Sequence, residues 1–102
     1  MGAGPMSVPA IQEVNARVTE AVRLAGVEDA RAVHSDEAAS KASTSTAQDL
    51  HQRHAAMHRK AAGAHRRAAE MHRTALILFE AAATQRAAAE LDARQYGPRR
   101  PA

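Results

Sequence analysis

The sequence predicts an all-α protein: a long C-terminal helix with a seven-residue repeat, forming a helical hairpin or coiled coil with shorter N-terminal helices. Three observations carry this. Residues 46–96 contain no proline and are dominated by alanine and other strong helix formers. Within them a seven-residue unit recurs four times. The chain has 102 residues but only one phenylalanine, one tyrosine and no tryptophan, so bulky side chains for a globular core are scarce. Helices that associate along a narrow alanine seam need far fewer of them.

Residues 1–8, with Gly2, Gly4 and Pro5, read as a disordered lead-in. Pro9 stands where the first turn of a helix tolerates it. Ile11, Val14, Val18, Ala21, Val22 and Ala25 then recur at three- and four-residue spacing and mark an apolar helix face. Gly26 reads as a C-terminal stop, with a second, weaker helix after it, so residues 9–45 are expected to hold one or two short helices. The run Ser43-Thr44-Ser45-Thr46 argues for a break. Ser45 with Gln48, or Thr46 with Asp49, has the spacing of a capping box, so a new helix is expected to begin there. Gly97-Pro98 ends it, and 97–102 reads as a basic tail.

In register, the repeat runs HQRHAAM (51–57), HRKAAGA (58–64), HRRAAEM (65–71) and HRTALIL (72–78). Two of its columns form an expected interaction seam of the coiled-coil kind. One holds Leu50, Met57, Ala64, Met71 and Leu78; the other holds His54, Ala61, Ala68, Ala75 and Ala82. The seam could serve self-association, with or without a hairpin. The alternative is that it receives the Ile11/Val14/Val18/Val22 face of the same chain.

The first column of the repeat is histidine four times: His51, His58, His65 and His72. Ladder neighbours are two turns apart, about 10 Å, too far to share one ion within a helix. His51 with His54, and His54 with His58, stand three and four residues apart, a spacing that can chelate a transition metal. The ladder also raises pH sensing, because an ordinary imidazole titrates near pH 6.5. The plainer alternative is that half-exposed histidines simply cover an alanine seam.

Charge is split along the chain. Residues 1–50 hold four bases and seven acids, whereas residues 51–102 hold ten bases and four acids. The split implies either a contact between the halves or an anionic partner for the second. Arg53, Arg59, Lys60, Arg66, Arg67 and Arg73 follow the ladder histidines by one or two places and form a cationic stripe. Such a stripe could track nucleic acid or another polyanion without reading sequence. No aromatic residue lies among these arginines, which argues against single-strand or base-specific recognition.

The pattern H-R-[RK]-A-A-x-[MA], over residues 51–82, resembles segments of small Ala/His/Arg-rich helical proteins of high-GC actinobacteria. The resemblance is largely compositional and implies no catalytic residues.

Cysteine is absent, so disulfides and thiolate metal sites are excluded. The N-terminus lacks the pattern of a secretory signal, and the most apolar stretch, residues 74–79, is far too short to span a membrane. These features point to a cytoplasmic protein. Scattered surface carboxylates, no nucleophile in a recognisable turn and no pocket-forming residues point away from an enzyme. The expected function is a non-enzymatic helical module for self-association or protein–protein interaction. The alternatives are polyanion binding through the basic stripe and metal binding through His51, His54 and His58; no cofactor is otherwise expected.

Overall fold

A computed structural model describes residues 8–97, with side-chain environments from Ala10 onward. The lead-in expected over 1–8 and the basic tail at 97–102 fall outside the described residues, apart from the backbone of Val8 and Gly97. Two helices, α1 (Val8–Lys41) and α2 (Ser45–Tyr96), form an extended antiparallel hairpin. It measures 84 × 25 × 22 Å. The long dimension is that of α2 itself, since 52 residues at about 1.5 Å each give roughly 78 Å.

The first half is one continuous helix of 34 residues, not one or two short ones. Gly26, read as a stop, lies inside it, exposed and with open space where a side chain would be. An internal glycine costs only about 1 kcal/mol relative to alanine. Packing on both sides outweighs that: Ala25 is 2% exposed and Ala32 1%. Glu13–Arg17, Glu20–Arg23 and Glu28–Arg31 pairs along its surface add modest local support.

The break falls at Ala42, Ser43 and Thr44, within the hydroxyl-rich run. Thr44 is the N-cap of α2, in extended conformation (φ −126°, ψ 152°). Its hydroxyl oxygen accepts a hydrogen bond from the Ala47 amide at 3.1 Å, and its carbonyl accepts one from the Gln48 amide at 3.0 Å. Neither expected capping box forms, because Ser45 is already helical. Gly63 is passed without interruption. At the far end Gly97 adopts φ 67°, a conformation glycine takes at little cost, and α2 stops at Tyr96.

Among the described residues the buried ones are all alanines: Ala21, Ala25, Ala32 and Ala39 on α1, and Ala55, Ala62 and Ala69 on α2. Among them Ala25, Ala32 and Ala39 are spaced by seven, as are the three on α2. Alanine on both sides lets helix axes approach the close end of the usual range, about 8 Å. This short approach is why so few bulky side chains suffice.

Candidate functional site

The expected interaction seam and the face that packs against α1 are different stripes of α2. The hairpin uses Ala55, Ala62 and Ala69, one place beyond the alanine column of the expected seam. Val14 and Val18 are partly covered by the hairpin, whereas Val22 stays exposed at its edge. The expected seam remains open. Leu50, Met57, Met71 and Leu78 are 50%, 67%, 72% and 65% exposed. Ala64 is exposed too, while Ala61, Ala68, Ala75 and Ala82 are half-buried.

Each repeat holds two adjacent alanines, as in H-R-x-A-A, so two neighbouring stripes qualify as seams. The stripe that packs internally was legible only from its complement. On α1, Ile11, Val18, Ala25, Ala32 and Ala39 form one seven-spaced column, and Val14, Ala21, Glu28, Ser35 and Ala42 another. Glu28, Asp29 and Asp36 of α1 contact His58, Arg66 and Arg59 beside the docked face of α2.

Three side-chain contacts between the helices fix the register. His58 Nδ1 lies 2.6 Å from Glu28 Oε2, Arg59 pairs with Asp36, and Arg66 pairs with Asp29. The charge split is therefore partly resolved inside the molecule. Hydrogen bonding to His58, more than to Arg31, holds the Glu28 carboxyl below its ordinary range. The Arg59 guanidinium does the same for Asp36. His51 and His58 line a hollow with Val27, His34 and Ser35 of α1. All four ladder histidines are half-buried.

Of the cationic stripe, Arg59 and Arg66 are engaged by α1, Arg53 pairs with Asp49, and Arg73 pairs with Glu70. Lys60 and Arg67 are exposed on the side away from α1. The histidines with metal-compatible spacing lie apart in role: His58 contacts Glu28, His54 is exposed, and the His51 and His54 rings meet edge-on at 6.4 Å between centroids. Among the described residues no group of three or more His, Asp or Glu side chains is placed to hold a metal ion.

Beside the open stripe runs a groove between the helices. Val27, His34 and Ala38 of α1 line it with His51 and His58 of α2, and a second hollow beside His58 is lined by Glu28, His54, Met57 and Ala61. No described helix is long and apolar enough to cross a membrane. By the His58–Glu28 pair the start of α1 lies level with about residue 78 of α2, and by the two Arg–Asp pairs with about residue 87, so the end of α2 up to Tyr96 extends beyond α1. Comparison with protein-family models, curated proteins and solved structures found no match to this chain.

Proposed function

We propose that this protein is a non-enzymatic helical interaction module: a hairpin that presents the Leu50/Met57/Ala64/Met71/Leu78 stripe of α2 for coiled-coil self-association. The observation that carries the reading is the exposure of these side chains on a helix whose other apolar stripe is already covered. Scattered exposed apolar residues are ordinary on any surface. A seven-spaced row over four turns of the repeat is not scattered, and it is the pattern by which one helix receives another.

The basic stripe supports polyanion binding less well, because four of its six cations already have carboxylate partners. The test is solution mass by size exclusion with light scattering at neutral pH. The expected mass is a multiple of 10.8 kDa. Met71→Glu, at a 72% exposed site that the hairpin does not use, is expected to give a monomer with unchanged helicity. A wild-type monomer at tens of micromolar would overturn the reading.

A further inference from the structure

Resting on that reading, we infer that the partner is a second copy of this chain, bound antiparallel, whose residues 80–96 lie along the open stripe of the first copy's hairpin. The overhang of each α2 thereby finds the cover that its own α1 is too short to give.

Size complementarity points to one alignment. The open stripe has a large column (Leu50, Met57, Met71, Leu78, with Ala64 among them) and a small one (Ala61, Ala68, Ala75, Ala82, Ala89, with His54 before and Tyr96 after). Antiparallel packing sets the large column of one helix against the small column of the other. When two copies of α2 cross at residue 73, three of five layers set a large side chain against an alanine. Met71 meets Ala75, Leu78 meets Ala68, Ala64 meets Ala82, Met57 meets Ala89, and Leu50 meets Tyr96. The two α2 helices then overlap from Leu50 to Tyr96, the whole exposed stripe and the whole overhang together.

Charge agrees. In this alignment Asp92 comes level with the partner's His54, an exposed imidazole. On the flank that carries Arg53, Lys60 and Arg67, the partner positions Gln95, Ala88 and Ala81 each lie two places off level and carry no charge. On the other flank His58 is level with the partner's Ala88 and two places from its Arg86, outside the apolar layers. Parallel, in-register pairing does worse on both counts. It pairs every residue of the stripe with its own kind, so no layer sets a large side chain against a small one. It also sets Arg53, Lys60 and Arg67 beside the partner's His58, His65 and His72.

The groove fits the same occupant. In this alignment residues 80–96 of the partner run level with positions 50–66, where one hollow is lined by Val27 and Ala38 and its neighbour by Met57 and Ala61. Each end of the dimer becomes three helices in cross-section: α1 and α2 of one copy and the tip of α2 from the other.

The chain has no cysteine, so a single introduced thiol carries a nitroxide label at one chosen site. Thr74→Cys and Gln95→Cys are both at exposed positions of α2. Pulsed electron spin resonance on each labelled dimer reads the distance between equivalent sites. The crossing at residue 73 predicts a short distance, under about 20 Å, at position 74, and roughly 65 Å at position 95 from the helical rise. Short distances at both positions mean parallel pairing and overturn the alignment while leaving self-association intact. A long distance at position 74 overturns it as well. A wild-type monomer by light scattering removes both this inference and the reading beneath it.

Discussion

Ala62→Leu separates the two stripes of α2 most sharply. Ala62 is 0% exposed on the face of α2 packed against α1, where Ala25 and Ala32 are 2% and 1% exposed. There is no space between the two faces for a branched side chain, so the helices must spread or the leucine must take a strained rotamer. Enlarging a well-packed core residue typically costs about 1–3 kcal/mol. Helix propensity does not offset this, since alanine is already the best former. For a domain of this size about 1 kcal/mol corresponds to some 4–8 °C in Tm, so a fall of roughly 5–20 °C is expected. The contrast is Ala64→Leu, two residues along on the open stripe, where the side chain is exposed. There the hairpin is untouched, and the added apolar area should strengthen association between chains. The assay is thermal melting followed by circular dichroism at 222 nm, repeated over a tenfold range of protein concentration. A Tm for Ala62→Leu at or above wild type, with Ala64→Leu destabilising instead, would refute the assignment of the two faces.

Other substitutions test the local structure. Thr44→Ala removes the hydroxyl that accepts from the Ala47 amide, and should lower stability by about 1 kcal/mol, read from urea midpoints. Gly63→Ala should raise stability by up to about 1 kcal/mol, because the new methyl meets only the flexible tip of Arg67 at 3.4 Å; a lower Tm would show that the close approach at this point is needed. Acid should weaken the hairpin. Glu28 and Asp36 have folded pKa values below their ordinary 4.5 and 3.8, so their contribution is present above those values and is lost as pH falls through the depressed ones. Melting between pH 6 and pH 2 should show this loss, and Glu28→Gln with Asp36→Asn should flatten it; an identical pH profile in the double variant would exclude these two carboxylates as its source. High salt should narrow the difference between wild type and Asp36→Asn at neutral pH, since the Arg59 partner is solvent-exposed.

What the sequence by itself determined is local in origin. Alanine content and the absence of proline make α2, the hydroxyl run of 43–46 places the break, and Gly97-Pro98 places the end. The seven-residue spacing was legible too, and so was the charge split that became the Arg59–Asp36 and Arg66–Asp29 pairs. Continuity of α1 through Gly26 was not legible, because a glycine's local preference is small beside the packing of Ala25 and Ala32 on a helix remote in sequence. Nor could one helix declare which of its two adjacent alanine columns would be covered. A face is chosen by what it meets, and Glu28, Asp29 and Asp36 meet the His58, Arg66 and Arg59 side of the repeat. Tertiary structure therefore decided that the inner stripe is Ala55, Ala62 and Ala69, and left the methionine stripe facing outward.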